Sequence, residues 1–144
     1  MSIRKIKKNE LQEALHLVLN VFMEFEAPVY SMEGIEYFKE YIHNSSILEE
    51  LQIYGAFHNH KIIGVIATRN HGCHISLFFV DSTYHRQGIG KKLFRQVTKD
   101  CPGEVITVNA SPYAVPIYKR LGFIATDTEQ ISDGIRFTPM IYRK

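Results

Sequence analysis

Three short apolar runs rich in β-branched residues follow one another in the middle of the chain. They occupy residues 51–58, 61–68 and 74–80, and they are separated by Asn59 and His60 and by residues 70–72. Runs of this length that are bounded by turn residues are typical of strands, and connections this short join antiparallel neighbours. The sequence therefore predicts an antiparallel meander at the centre of the fold.

Two amphipathic helices are predicted before the meander. The first follows a cap at Asn9, carries apolar residues at helical spacing and ends near Pro28. The second begins after a cap at Ser31 and continues to about His43.

The chain after the meander alternates between helix and strand. A helix is predicted over residues 91–99, a strand over residues 105–108, and a further helix from a cap at Ser111 to Gly122. Together with the strand that ends at residue 80, this order predicts a β-α-β-α unit.

The last part of the chain contains two more strand candidates, at residues 123–126 and 135–142. Pro139 is expected to confine the last strand to a sheet edge or a bulge, because proline cannot donate to a strand ladder. An exposed edge near Tyr142 would allow a homodimer, and a blunted edge is the alternative.

Length and charge limit the class of protein. A chain of 144 residues corresponds to a single domain, residues 1–144, and its formal net charge of +2 is too small to indicate a nucleic-acid binder. The apolar runs are far shorter than the roughly 20 residues of a membrane-spanning helix, and no signal peptide is recognised. We therefore expect no nucleic-acid or membrane partner.

The cysteines and histidines give no sign of a metal site. Cys73 and Cys101 lie 28 positions apart without a CxxC motif, which predicts two reduced thiols in a cytoplasmic protein. In the proposed meander, roughly ten residues of strand separate the histidines that might otherwise combine as ligands. These are His58, His60, His71 and His74.

A glycine-containing loop follows the third strand of the meander. Gly88 and Gly90 precede a helix, and this arrangement lets backbone amides and the positive end of the helix dipole bind a phosphate. Arg86 and Lys91 add positive charge. The loop matches neither the Rossmann fingerprint, since Leu93 stands at the third glycine, nor a Walker A motif. A tight turn without a ligand is the alternative interpretation.

A second segment supports the ligand-binding interpretation. In residues 108–123, Tyr118 lies three residues before the sequence Leu121-Gly122-Phe123. The two segments, in this order and about 30 residues apart, resemble the acyl-CoA-binding core of the Gcn5-related N-acetyltransferase (GNAT) superfamily. The resemblance implies an α/β (α+β) fold whose mixed central sheet has about six or seven strands. An antiparallel meander would precede a β-α-β-α core, with helices on both faces.

The resemblance also implies a site for acetyl-CoA as co-substrate, with no metal. Backbone groups of Phe78 and Val80 would contact the pantetheine arm, and Asn109 or Ser111 would contact its amides. The pyrophosphate would lie on the loop formed by Arg86, Gln87, Gly88, Ile89, Gly90 and Lys91. This chain departs from the family pattern at Ser111, where asparagine is common, and at His85.

Tyr118 corresponds to the general acid of the family, and a phenol can protonate the sulfur that leaves during acyl transfer. A packed aromatic side chain is the alternative. His74 is the candidate base, because even spacing places His74, Ser76 and Phe78 on one face of a strand. A solvent-facing histidine is equally compatible with the sequence. Glu24 and Glu26 are further candidates for binding a cationic acceptor.

The leading hypothesis is an acetyltransferase that lets a primary amine attack acetyl-CoA directly in a ternary complex. The acceptor would be a small-molecule or peptide amine, and the sequence does not identify it. The alternatives are a non-catalytic CoA-binding module of the same fold, with a regulatory or partner-binding role, and a purely structural domain.

Overall fold

The computed structural model describes all 144 residues and contains one eight-stranded sheet with helices on both faces. The strands are β1 (Ser2–Lys5), β2 (Gln52–His58), β3 (Lys61–Arg69), β4 (His74–Val80), β5 (Val105–Ala110), β6 (Ile124–Ala125), β7 (Gln130–Ser132) and β8 (Ile135–Arg143). The helices are α1 (Leu11–Val21), α2 (Met32–Ile42), α3 (Ser45–Glu50), α4 (Ile89–Asp100) and α5 (Val115–Leu121).

The sheet combines an antiparallel meander with one parallel pair. The strand order is β1-β2-β3-β4-β5-β8-β6, and β7 pairs with the beginning of β8. β4 and β5 are the parallel neighbours, connected through α4, while every other pair is antiparallel. The predicted fold class, a mixed sheet in which a meander precedes a β-α-β-α unit, is confirmed.

Local signals located several elements correctly. The three strands of the meander begin and end within one residue of the predicted positions. Ser31 caps α2, since its Oγ accepts a hydrogen bond from the Gly34 amide at 3.2 Å. Gly122 ends α5 with a φ of 110°, a conformation that glycine adopts without strain.

Other elements differ from the prediction. The first helix is not continuous to Pro28: α1 ends at Val21 and is followed by one wide π-helical turn, Phe22–Glu26, and a short 3-10 turn, Ala27–Val29. The short elements β1, α3 and β7 were not predicted. Ser111 caps a turn rather than α5, since its Oγ accepts from the Ala114 amide and the helix begins only at Val115.

The expectation that Pro139 places the last strand at an edge is wrong. β8 lies inside the sheet, with β5 on one side and β6 and β7 on the other. The carbonyl of Pro139 accepts from the Thr126 amide at 2.9 Å, so the backbone of Pro139 faces away from β5. Proline has no N–H to donate, but Pro139 lies between the residues of β8 that pair with β6 and those that pair with β7. The hydrogen bonds between β5 and β8 are therefore all retained. Pro139 is therefore not on a sheet edge that a second subunit could extend.

Two hydrophobic cores lie on opposite faces of the sheet. The α1-side core packs α1 and α2 against side chains such as Val65, Leu77 and Phe79. The α4-side core packs α4 and α5 against side chains such as Ile66 and Ile106. The two cores fix both layers of helices to the sheet, and the functional groups described below lie where the sheet opens between them.

The structure joins Cys73 and Cys101 in a disulfide, so the prediction of two reduced thiols is wrong for this structure. The bond connects the turn before β4 to the end of α4. The backbone brings these positions together, because the Cys73 carbonyl accepts from the Thr107 amide of β5 at 2.9 Å and the two Cα atoms lie 4.9 Å apart. A spacing of 28 residues contained no information about this proximity.

No helix of the structure is long and apolar enough to cross a membrane.

Candidate active site

β4 and β5 pair over only two residues and then separate. The pairs are His74 with Thr107 and Ile75 with Val108, and beyond them no hydrogen bonds join the two parallel strands. The gap leaves one side of β4 without a neighbouring strand. A wedge of this kind exposes backbone donors and acceptors that an extended ligand can bind.

The backbone groups of Phe78 and Val80 face this open wedge. The Asp81 amide donates to the Ile63 carbonyl at 2.9 Å, so Asp81 is bonded to β3. Because alternate residues of an antiparallel strand face the same neighbour, the backbone of Phe78 and Val80 faces the other way. The Val80 carbonyl already accepts from His85 Nε2 at 2.7 Å.

A groove of about 910 Å³ runs from the wedge along the N-terminal part of α4 to α5. Its polar lining is mostly cationic, since four lining residues are Lys or Arg and one is an acid. They are Arg86, Lys91, Arg95, Arg120 and Glu26. Apolar and aromatic side chains complete the walls, among them Phe25, Tyr84, Tyr113 and Tyr142. The groove is suited to a ligand with an apolar arm and an anionic end.

The glycine loop forms the cationic end of the groove. Gly88 lies immediately before α4 with a φ of 78°, and Arg86 also has a positive φ of 64°. The amides of the first turn of α4 have no partner within the helix, and together with the helix dipole they favour an anion. Arg86, Gly88, Ile89, Gly90 and Lys91 line the groove, whereas Gln87 does not and instead donates to the Thr83 carbonyl.

Gly90 leaves room for a ligand between α4 and β4. A Cβ at Gly90 would lie 3.4 Å from the Phe78 ring, and larger side chains would extend into the groove. We expect Gly90→Val to weaken acetyl-CoA binding at least tenfold while the protein remains folded, measured by isothermal titration calorimetry. Lys92→Val is the matched control, because Lys92 is exposed in the same helical turn and does not line the groove. Equal affinity of the two variants would contradict this role of Gly90.

Tyr118 lies at the inner end of the groove. α5 places its ring between Phe78 and Phe123, with centroid separations of 5.9 and 5.1 Å, and only 4% of the residue is exposed. Burial, and then the nearby Glu26 carboxylate, raises the pKa of the Tyr118 phenol above its usual range. The hydroxyl is therefore protonated at neutral pH and is able to donate a proton.

A second cavity, of about 250 Å³, lies under α2 on the other side of the wedge. Eight of its lining residues are aromatic: Phe22, Tyr30, Tyr37, Phe38, Tyr41, Phe78, Phe79 and Tyr118. Its ionisable lining residues other than tyrosine are Glu26, Arg69 and His74. Five residues line both the groove and the second cavity, namely Glu26, Phe78, Phe79, Ala114 and Tyr118.

A β-bulge at Ser76 overturns the prediction that His74, Ser76 and Phe78 share one face. Ala67 pairs with Leu77 and Thr68 pairs with Ile75, so Ser76 is an extra residue in β4. Ile75 consequently packs in the α4-side core, whereas Leu77 packs in the α1-side core. The alternation is reversed across the bulge, and His74 faces opposite to Phe78.

His74 lines the second cavity but not the groove. Its Nδ1 lies 2.7 Å from the Thr107 hydroxyl. Burial, and then the positive charge of Arg69, lowers the pKa of the imidazole to about 4. A ring with this pKa is neutral at pH 7 but is a weak base. Its proposed role as base remains an untested prediction.

Glu26 lies where the groove and the second cavity meet. The π-helical turn after α1 places its side chain near the Ser111 hydroxyl. Burial raises the pKa of Glu26 to about 7, and the proximity of the Ser111 hydroxyl opposes this effect. Wide helical turns of this kind are frequent at functional sites. Glu24, the other predicted acid, is exposed and lines neither cavity.

The predicted site residues thus divide between two places. Phe78, Val80 and most of the glycine loop line the groove, while Asn109, Ser111 and His74 line the second cavity. The sequence did not predict that aromatic residues of α2 line a cavity. The spacing of Tyr37, Phe38 and Tyr41 is also typical of a helix that packs on a hydrophobic core. The sequence identified Glu26 as a candidate acid, but it did not predict that Glu26 lies where the groove and the second cavity meet.

Comparison with known proteins identifies the family of the chain. Residues 26–144 match the family model described as the acetyltransferase (GNAT) domain. None of the curated proteins matches the sequence closely enough to count as a relative.

Solved structures share the fold along the whole chain. A GCN5-related N-acetyltransferase from Rhodopseudomonas palustris is 17% identical with a TM-score of 0.85, over 99% of this chain and 95% of that one. The PaiA N-acetyltransferase from Thermoplasma acidophilum, solved with coenzyme A, is 22% identical with a TM-score of 0.73, over 99% and 98%. The ribosomal-protein-S18-alanine N-acetyltransferase from Escherichia coli is 18% identical with a TM-score of 0.66, over 99% and 92%. At these identities the likeness concerns the fold.

Proposed function

The chain belongs to the GNAT acetyltransferase family, and we propose that it transfers an acetyl group from acetyl-CoA to a primary amine by direct attack in a ternary complex. The acceptor is a small-molecule or peptide amine. Direct attack needs no covalent acyl-enzyme, and neither cysteine offers a free thiol for one, because both are engaged in the disulfide.

The single observation that carries this proposal is the position of Tyr118 at the meeting point of the two cavities. A cationic groove ends there on one side and an aromatic cavity ends there on the other. A donor in the groove and an acceptor in the second cavity would therefore meet beside a phenol that is protonated at neutral pH.

The groove residues fit the chemical groups of acetyl-CoA. The first turn of α4, with Arg86 and Lys91, is suited to phosphate groups, and the backbone of Phe78 and Val80 is suited to an amide-containing arm. When bound, acetyl-CoA supplies the acetyl group as a thioester. Tyr118 would donate its proton to the sulfur that leaves.

Acetyl-CoA binding is the first test of the proposal. A ligand at 100 times its Kd stabilises the folded protein by about 2.7 kcal/mol, so we expect saturating acetyl-CoA to raise the melting temperature by several degrees. Free CoA should give a similar shift, and adenosine diphosphate, which lacks the pantetheine arm, should give a smaller one.

Thiol release in the presence of amines separates the proposed function from its alternative. Amine-dependent release of free CoA thiol from acetyl-CoA supports an acetyltransferase. A melting shift without thiol release for any class of amine would instead indicate a non-catalytic CoA-binding module. If acetyl-CoA gives no shift, neither function holds.

A further inference from the structure

We propose that the acceptor is a monoamine with an uncharged, apolar body about the size of one aromatic ring, and that Glu26 takes the proton from its ammonium group. This inference rests on the proposed function, because it assigns the acceptor side of the same site. It names a substrate class and a proton acceptor for the second cavity.

The first step of the argument is the position of Glu26. Among the five residues that line both cavities, only Glu26 and Tyr118 are ionisable. The reacting nitrogen must lie at this junction to reach a donor in the groove. Glu26 is therefore the one carboxylate that can attract a cationic amine at the point of reaction and also remove its proton.

The second step concerns the size and lining of the second cavity. A cavity of roughly 150 Å³ is known to hold benzene, so a cavity of about 250 Å³ accommodates one ring with a short aminoalkyl arm. Phe22 and Phe38 stack with ring centroids 3.8 Å apart, and Phe38 packs edge-on against Phe79. Such walls favour an apolar or aromatic body over a polar one.

The third step concerns Arg69, a cation that also lines the second cavity. Arg69 pairs with His74, which in turn pairs with Thr107 of β5. Ser111, which lies near Glu26, follows Thr107 by four residues along the chain, so the backbone positions of Arg69 and Ser111 are roughly 13 Å apart along the strand direction. A second positive charge on the acceptor would therefore approach Arg69 and be repelled. This arrangement disfavours diamines and polyamines.

The fourth step is an unused polar group. Ser76 Oγ is buried, has no hydrogen-bond partner and belongs to a residue that lines the second cavity. The bulge that reverses the alternation of β4 is centred on this residue. Buried hydroxyls are almost always partnered, so an unpartnered one in the wall of a cavity is a position that a bound water or a ligand group can satisfy. An amine N–H or a single polar substituent on the acceptor would satisfy it.

With Glu26 as proton acceptor and Tyr118 as proton donor, the protons and bonds of the acetyl transfer balance. One proton of the ammonium passes to the Glu26 carboxylate and then to solvent. The free amine forms a C–N bond with the thioester carbonyl carbon, and the C–S bond breaks. The nitrogen loses a second proton, which replaces the one that Tyr118 gives to sulfur. The products are an amide and the CoA thiol. A carboxylate whose pKa lies near 7 is a better base for this step than an ordinary one.

The substrate test compares matched amines in the thiol-release assay. Phenethylamine and hexylamine should both be acetylated. Hexamethylenediamine, which adds only a second cation to hexylamine, should show a kcat/KM at least tenfold lower. Arg69→Glu should reduce or reverse this preference, and Lys61→Glu, an equal charge change at the exposed opposite end of β3, should leave it unchanged. A diamine used as well as hexylamine by the unmodified protein would overturn the assignment of the substrate class.

The residue test compares Glu26→Gln, Glu26→Asp and Glu24→Gln. We expect Glu26→Gln to lower kcat at least 100-fold, Glu26→Asp to retain more activity, and Glu24→Gln to behave as the unmodified protein. A Glu26→Gln variant that keeps kcat within a few-fold of the unmodified protein would overturn the role of Glu26.

The pH dependence of the reaction distinguishes a proton acceptor at Glu26 from a residue that only supports the structure. Only ionised Glu26 can accept the proton, so kcat/KM should fall as the pH drops below about 7 in the unmodified protein, and this acidic limb should disappear in Glu26→Gln. The other titratable or charged groups around the two cavities near Glu26 are Glu24, Tyr30, Arg69, His74, His85, Tyr113, Tyr118, Arg120 and Arg136. An acidic limb that persists unchanged in Glu26→Gln would assign the limb to another group and overturn the inference.

Failure of the inference is distinguishable from failure of the proposed function. The melting shift with acetyl-CoA is measured on every variant, and Glu26→Gln should keep it. If acetyl-CoA binds and only peptides or polyamines are acetylated, the function stands and the inference fails. If acetyl-CoA does not bind the unmodified protein, both fail.

Discussion

Tyr118→Phe is expected to lower kcat by at least 100-fold while leaving the affinity for acetyl-CoA nearly unchanged. The substitution removes only the hydroxyl, and the ring keeps its packing between Phe78 and Phe123. Proton transfer by a positioned side chain contributes about 10²–10⁴-fold to a rate, so loss of the acid should cost an effect of that size. Initial rates of thiol release at saturating acetyl-CoA and amine measure kcat directly.

Tyr54→Phe provides the matched control for this prediction. Tyr54 is also buried, but it lines neither cavity, and its hydroxyl donates to the Asp100 carboxylate. Its loss should affect stability and leave kcat within a few-fold. Two variants with the same kcat would show that Tyr118 serves only to pack the core, which is the alternative that the sequence left open.

Reduction of the Cys73–Cys101 disulfide is expected to destabilise the fold by about 3–4 kcal/mol. The bond closes a loop between residues 28 positions apart, and restriction of the unfolded chain by a loop of that length gives a free energy of this size. For a domain of 144 residues the melting temperature should fall by roughly 10 °C. Differential scanning calorimetry with and without dithiothreitol measures the change on one sequence.

Thiol counting decides whether the two cysteines are joined in solution. The oxidised protein should contain no reactive thiol after denaturation, and the reduced protein should contain two. Cys73→Ala combined with Cys101→Ala should melt at the temperature of the reduced protein, and reductant should not change it further. Two free thiols in protein purified without reductant, and a melting temperature insensitive to dithiothreitol, would contradict the bond.

Much of the fold could be predicted because it depends on interactions between residues that are close together in the sequence. The β-branched runs with tight turns at Asn59 and His60 specified the meander, and the caps at Ser31 and Gly122 marked helix ends. The strand, glycine loop and helix around Gly88 and Gly90 were recognisable because backbone conformation and helix polarity depend on neighbours in the chain. Short elements such as β1 and α3 gave no comparable signal, because partners distant in sequence stabilise them.

The candidate site was only partly predictable, for the same reason. Tyr118 and the loop belong to motifs of consecutive residues, and the sequence located them. The pairing of Cys73 with Cys101 and the meeting of Glu26 with Ser111 join positions far apart in the chain. The bulge at Ser76 depends on the register between β3 and β4, and a single extra residue placed His74 opposite to its predicted face.

By itself, the sequence determined the order of the longer elements, the fold class and the position of the glycine loop, since hydrophobic periodicity, turn residues and caps act over a few residues. Only the tertiary structure decided which side chains meet at the wedge between β4 and β5, since that depends on strand register and on packing across the sheet. The same packing places the Glu26 carboxylate beside Tyr118, and burial there, rather than any feature of residues 24–26, shifts the pKa of both groups upward.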